Sequence, residues 1–172
     1  MGRCNLGTLY GKLGRWPAAI EQFERALRGL EAGEPSPVDL ARVLRSLGQA
    51  QHKIGELARA RESLERSVAV GEASAARAES IAPTRFALAK VLWDSGRERA
   101  RALSLAREAR DAFHAATAPS PEATGTAWIA EHDAADSPPP RGCAGAGAAR
   151  RDRRRAHPAL AQRLEFRRDG AP

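Results

Sequence analysis

Aromatic side chains are scarce in this chain of 172 residues, at 5%, although 42% of its residues are hydrophobic. Alanine and leucine supply most of that apolar content. A β-sheet core draws mainly on valine, isoleucine and aromatic residues, whereas closely packed helices use small side chains. The composition therefore predicts an all-α fold with one modest core.

Long hydrophobic runs are also missing. No apolar stretch approaches the roughly 20 residues of a membrane-spanning helix, and the N-terminus lacks the apolar core of a signal peptide. These absences predict a soluble, cytoplasmic protein that has no membrane partner.

Residues typical of catalytic and metal sites are few and scattered. Cys4 and Cys143 lie far apart in segments of different composition, so neither a disulfide framework nor a metal site is indicated. The four histidines lack the spacing that gathers ligands. The glycine-rich run 142–147 follows no strand, which argues against a phosphate-binding loop. We therefore predict that the chain is not an enzyme, binds no cofactor or metal, and has no small-molecule substrate.

The positive charge is concentrated at the C-terminal end. The net charge is +7, and residues 133–172 hold nine arginines against five acidic residues, which gives +4. That segment contains three consecutive prolines and no periodic apolar face, so we predict a disordered basic tail. Its run Arg150–Arg155 could contact nucleic acid through charge alone, but it lacks interleaved aromatics. A solvated tail is the better interpretation, and nucleic-acid contact ranks last among the functional hypotheses.

A nine-residue phrase at 6–14 returns at 47–55 and, more loosely, at 88–96. Each copy begins 41 residues after the previous one, at Leu6, Leu47 and Leu88. A fixed period between about 20 and 50 residues predicts a solenoid of stacked helical units.

Within each unit, apolar residues at helical spacing predict two antiparallel helices joined by a glycine turn. A short further helix would cover the open end of the stack. The predicted units and this capping helix span residues 1–34, 36–80, 83–117 and 120–132, within a repeat domain of residues 1–132.

Prolines and polar residues predict where the helices of the second and third units begin. Ser36 precedes Pro37, and Asp39 follows three residues after the serine, in the arrangement of a capping box. The third unit is predicted to begin near Pro83, after an alanine-rich extension of the second unit to Ser80.

These positions resemble the tetratricopeptide repeat, whose pattern has Leu-Gly, a nearby aromatic, a turn glycine and small residues in the second helix. The second unit departs from the pattern at Gln51, where an aromatic is expected, and the third is the most divergent. The usual period is about 34 residues, so the match is to a long-repeat variety found in bacterial signalling proteins and kinesin light chains. The first unit supplies Leu6, Gly7, Tyr10, Gly14, Ala19, Phe23 and Ala26.

The resemblance implies a right-handed α-solenoid of three helix pairs that acts as a protein–protein interaction scaffold. More narrowly, residues 85–132 resemble the last repeat of arrays that follow the catalytic domain of certain bacterial serine/threonine protein kinases. No kinase motif is present. The alternative function is therefore a C-terminal regulatory fragment of such a kinase. Because the repeat pattern is already under way at Met1, we also expect the chain to be part of a longer array.

In the family, the first helix of each pair lines a concave groove. The corresponding positions here are basic, with two aromatics, which predicts an acidic peptide or carboxylate as partner. Ordinary solvated cations are the alternative reading. We expect Trp16, Trp93 and Trp128 to be packing residues rather than ligand platforms. The predicted groove residues are Thr8, Lys12, Arg42, Arg45, Gln49, His52, Lys53, Phe86, Lys90 and Trp93.

Overall fold

The computed structural model describes residues 2–96, 98–115 and 122–136. Within these ranges all regular secondary structure is α-helical and no strand occurs. The prediction of an all-α fold is confirmed. The helices are α1 (Gly2–Lys12), α2 (Trp16–Glu31), α3 (Pro37–Lys53), α4 (Leu57–Ala73), α5 (Ala78–Ser95), α6 (Arg99–Ala115) and α7 (Glu122–Asp136).

The first six helices form three pairs, α1 with α2, α3 with α4, and α5 with α6. A glycine in the left-handed region ends the first helix of each pair or follows it closely: Gly14, Gly55 and Gly96 have φ of 70°, 82° and 72°. Only glycine adopts this conformation without strain, so the recurring glycine of the sequence marks the point where the chain reverses.

Small residues allow the two helices of a pair to approach closely. A Cβ added at Gly48 would lie 2.6 Å from Cγ of Leu64 and 3.1 Å from the carbonyl oxygen of Ala60. A Cβ at Gly7 would lie 2.7 Å from Cε1 of Phe23. The repeated Leu-Gly therefore places its glycine where a larger residue would push the paired helices apart.

The pairs stack into a solenoid with two rows of helices. Each of α3, α5 and α7 packs on the second helix of the preceding pair. Helices α1, α3 and α5 also touch one another in sequence, and α7 continues their line through ring contacts with α5. We call α1, α3, α5 and α7 the inner row, and α2, α4 and α6 the outer row. The core fills the space between the rows, where Leu64, Leu88 and Leu92 are fully buried.

The third unit begins earlier than predicted. Helix α4 ends at Ala73, residues 74–77 form a turn, and α5 starts at Ala78, so Pro83 lies inside a helix rather than at its start. The predicted extension of the second unit to Ser80 is wrong at its end, because residues 78–80 already belong to α5. Proline at this position leaves the carbonyl of Glu79 without its helical partner. Burial of Ile81 in the extra turn offsets part of that cost.

Two further expectations on helix ends need correction. The Ser36 side chain makes no capping hydrogen bond, and the Asp39 carboxylate of the predicted capping box accepts one from Arg42 at 2.8 Å. Helix α7 runs to Asp136, four residues into the predicted tail. There Arg107 of α6 forms an ion pair with Asp133 at 2.5 Å.

The remainder of the predicted basic tail, including Arg150–Arg155, lies outside the described residues. None of the helices in the described ranges has the length and apolar character that crossing a membrane requires.

Candidate functional site

All the residues predicted for the groove lie on the inner row, five of them on α3. We call the surface that they form the candidate groove. The structure divides it into an arginine end on the first half of α3, a lysine end shared by α3 and α5, a cleft toward α1, and an aromatic part beside α7.

The arginine end contains two neighbouring guanidinium groups. Nη2 of Arg42 donates a hydrogen bond to Oδ1 of Asp39 at 2.8 Å. Arg45 is half-buried and has no hydrogen bond or ion pair with any residue that the structure describes. Burial, reinforced by the positive charge of Arg42, holds the pKa of Arg45 below its ordinary value. Arginine still remains protonated at neutral pH, so this charge is uncompensated.

The lysine end likewise contains two neighbouring cations, here the ammonium groups of Lys53 and Lys90. Lys90 is half-buried, and its Nζ lies 5.0 Å from the centroid of the Phe86 ring. Burial and the nearby Lys53 charge lower the pKa of Lys90, while Asp94 acts in the opposite direction. Neither lysine has a carboxylate oxygen within 4.0 Å in the described part of the chain.

His52 connects the two central inner helices. Its Nε2 lies 2.6 Å from Oδ2 of Asp94, which joins the end of α3 to the end of α5. Sequence reasoning missed Asp94, although the period could have found it: Asp94 lies 41 residues after Lys53, which in turn lies 41 after Lys12. The third unit thus carries an acid where the first two carry lysines.

A cleft with a largely apolar lining lies between α1 and α3 on the same side. Lys12 and Gln49 are both exposed and line this cleft together with Thr8. The Thr8 hydroxyl donates to the carbonyl oxygen of Cys4 at 3.0 Å, so it is engaged within α1. The structure therefore brings Lys12 and Gln49 together.

The predicted aromatic residues of the groove are covered by α7. The Phe86 ring is buried and meets Trp128 edge to face, with centroids 5.9 Å apart. Trp93 contacts Trp128 at 5.7 Å and His132 at 4.5 Å between ring centroids. Phe86 is consequently a core residue and no part of an open groove. Trp93 is half-buried, and its ring packs against α7 and the guanidinium of Arg99.

Helix α7 lies where the first helix of a fourth unit would lie. Ile129 follows Leu88 by the same 41 residues and is buried, at 5% exposure, beside Ala89 and Phe113. The sequence interpretation treated this helix only as a cap. One further step of the period would have predicted its position.

The outer row treats its charges differently, because arginine–carboxylate pairs join one helix to the next. These contacts neutralise the arginines within the protein. The pairs are Arg59–Glu24 at 2.6 Å, Arg66–Glu31 at 2.6 Å, Arg61–Glu98 at 2.5 Å and Arg101–Glu65 at 2.9 Å.

The arrangement is suited to binding anions. Among the described residues, no three His, Cys, Asp or Glu side chains gather in a way that could hold a metal ion. The groove instead offers cationic donors, which bind carboxylates through charge-assisted hydrogen bonds.

A model of the tetratricopeptide repeat family matches residues 2–73, which span the first two helix pairs. The resemblance to this family is thereby confirmed. None of the curated proteins matches the chain.

Proposed function

Because residues 2–73 are tetratricopeptide repeats, which generally form protein–protein interaction modules, we propose that this chain is a scaffold or adaptor whose candidate groove binds an acidic segment of a partner protein. The proposal includes a location in the cytoplasm and no catalytic activity of its own.

The observation that carries the proposal is the uncompensated charge of the inner row. Arg45, Lys53 and Lys90 have no carboxylate partner among the described residues, and Arg45 and Lys90 are half-buried. A partly desolvated cation beside another cation is unfavourable, and a carboxylate supplied by a partner would relieve it. On the outer row, by contrast, arginines 59, 61, 66 and 101 pair with carboxylates of the chain itself.

The expected affinity is modest. Three helix pairs offer a small surface, and buried area alone does not set affinity. Complementary charge mainly raises the association rate and makes binding sensitive to salt. We therefore expect the complex to weaken as ionic strength rises.

Capture of partners from native lysate tests the proposal. The Arg45→Glu/Lys90→Glu double variant reverses two groove charges, and the Arg25→Glu/Arg28→Glu double variant makes the same change on the exposed surface of α2. We expect the groove variant to lose partners that the wild type and the outer-row variant retain. Circular dichroism and thermal unfolding establish that both variants fold. Identical partner lists for all three proteins would refute the groove proposal.

The kinase-fragment alternative remains a prediction, and it rests on residues 85–132. In the described part of that stretch, contacts among the rings of Phe86, Trp93, Trp128 and His132 join α5 to α7. Sequencing the locus tests the alternative. A kinase reading frame directly upstream would favour it, and a distant, unrelated frame would count against it.

A further inference from the structure

A largely apolar cleft lies between α3, the end of α4 and the start of α5. Val38, Ala41 and Ile81 contribute apolar surface, and among the residues that the structure describes the charged side chains in its lining are Arg42 and Arg45. The cleft therefore combines an aliphatic wall with positive charge, and no acidic residue of the described ranges lines it.

One unit later, an aromatic ring stands at the position of Arg45. Phe86 follows Arg45 by 41 residues, and Trp128 follows Ala87 by the same number. Phe86 and Trp128 pack edge to face at 5.9 Å. Arginine therefore lines this cleft at the position where the next unit has a phenylalanine.

Most polar groups around the cleft already have partners. The hydroxyl of Ser67 donates to the carbonyl oxygen of Ala41 at 2.8 Å, and the hydroxyl of Ser74 donates to that of Gly71 at 2.9 Å. Arg42 is engaged by Asp39. The guanidinium of Arg45 has no such contact within the described ranges and lies half-buried beside a like charge.

We infer that this cleft binds the side chain of one glutamate or aspartate of the partner, together with the aliphatic residue next to it. Arg45 takes the carboxylate, and Val38 and Ile81 contact the aliphatic group. The inference rests on the proposed function and names the partner residues that this part of the groove selects. A planar guanidinium matches a carboxylate in a bidentate geometry, and one negative charge offsets the repulsion from Arg42. Val38, at 70% exposure, presents a valine at the rim where an incoming apolar side chain would cover it.

Defined peptide pools test the inference. The probes are fluorescent hexapeptide pools with both termini blocked and fixed central pairs Glu-Leu, Gln-Leu, Glu-Ser or phosphoserine-Leu. Binding is measured by anisotropy at low salt. We expect the wild type to prefer the Glu-Leu pool, because only that pool satisfies both parts of the cleft.

Three variants separate the contributions. Arg45→Gln should weaken binding of the Glu-Leu pool about ten-fold or more, since it removes a hydrogen bond between charged groups. Arg45→Lys keeps the charge without the planar fork and should fall between Arg45→Gln and the wild type. Arg28→Gln, which removes an exposed charge on α2, should leave binding unchanged. Thermal unfolding confirms that each variant is folded.

Each opposing result overturns a stated part of the inference. Equal binding of the Glu-Leu pool by wild type and Arg45→Gln would show that the cleft is not part of the interface. Equal binding of the Glu-Leu and Gln-Leu pools would show that the carboxylate is not recognised. Equal binding of the Glu-Leu and Glu-Ser pools would show that the aliphatic residue makes no contact. A preference for the phosphoserine-Leu pool would show that the cleft binds a phosphate rather than a carboxylate. If no pool binds, the inference fails as a whole.

A Lys90→Gln variant distinguishes this inference from the function beneath it. If Lys90→Gln weakens the Glu-Leu pool and Arg45→Gln does not, acidic peptides bind the groove but not through this cleft. If the lysate experiment yields no groove-dependent partner, the proposed function itself fails, whatever the peptide pools do.

Discussion

The inner and outer rows are built from the same repeat, yet they differ in how their positively charged side chains are paired. On the outer row, Arg59 and Arg66 of α4 reach carboxylates of α2 at 2.6 Å. On the inner row, Arg45 lies beside Arg42, and Lys90 lies beside Lys53. These outer-row arginines therefore pair between neighbouring units of the chain, whereas Arg45, Lys53 and Lys90 of the inner row have no carboxylate partner among the described residues.

The difference teaches where each kind of charge acts. An exposed ion pair contributes only about 0–1 kcal/mol, so the outer pairs do more to align neighbouring helices than to stabilise them. A half-buried cation without a counterion reduces stability until a partner arrives. The inner row is thus the part of the molecule whose energetics should change most on binding.

The largest expected effect comes from the place where the two rows meet. Gly48→Ala adds a Cβ only 2.6 Å from Cγ of Leu64 and 3.1 Å from the carbonyl oxygen of Ala60. Because the second atom belongs to the backbone, α3 and α4 must move apart. We expect a loss of about 1–3 kcal/mol in the free energy of unfolding, measured by urea denaturation.

Gly29→Ala is the matched control, since an added Cβ on this exposed part of α2 meets nothing within 4 Å. It should raise stability by about 0.5–1 kcal/mol, because alanine is the better helix former. Equal effects of the two changes would show that close helix approach at Gly48 is not what holds the rows together.

The next effect tests the cost of inner-row charge. Arg45→Met keeps a long apolar stem and removes the uncompensated guanidinium, so we expect the free energy of unfolding to rise by about 1 kcal/mol. Arg28→Met, on the exposed side of α2, should change it little. A loss of stability in Arg45→Met would mean that the arginine is satisfied in the free protein, and the contrast between the rows would disappear.

Much of the fold was predictable because one period governs it. The 41-residue spacing from Leu6 to Leu47 to Leu88 places equivalent residues of successive units at equivalent positions, with small residues where helices cross. The start of α5 was not predictable in this way. Pro83 signals a helix start locally, but burial of Ile81 in an earlier turn favours a longer helix, and burial is a property of the assembled stack.

The helices that carry the candidate site residues were predictable, but the contacts between those residues were not. The repeat pattern placed Arg45, Lys90 and His52 on the inner row, where the structure also has them. It did not reveal that His52 contacts Asp94 or that α7 covers Phe86. Such contacts join residues about 42 positions apart, and they depend on side-chain direction rather than on helical spacing.

A smaller effect is expected on the outer row. Arg59→Gln removes ion pairs with Glu24 at 2.6 Å and Glu56 at 2.8 Å, but the guanidinium is exposed. We expect a loss of about 0.5 kcal/mol or less, which should shrink further in high salt. Urea denaturation at two salt concentrations measures it, with Arg28→Gln as the unpaired control. A loss that persists in high salt would indicate that packing by the arginine stem, rather than charge, joins α2 to α4.

The last prediction concerns pH and Lys90. Because burial and Lys53 lower its pKa in the folded protein, the unfolded chain binds more protons than the folded one between that lowered value and the ordinary value of 10.5. Stability contributed by this group should therefore rise with pH across that interval, and it should be lowest below it, where the buried lysine is fully charged. The free energies of unfolding of wild type and Lys90→Gln, compared from pH 7 upward, isolate the effect because the other titrating groups are common to both. The free energy of unfolding of the wild type should increase relative to that of the variant as the pH rises. Parallel curves would mean that Lys90 is solvated like any surface lysine, and the lysine end would then have no buried charge for an acidic partner to relieve.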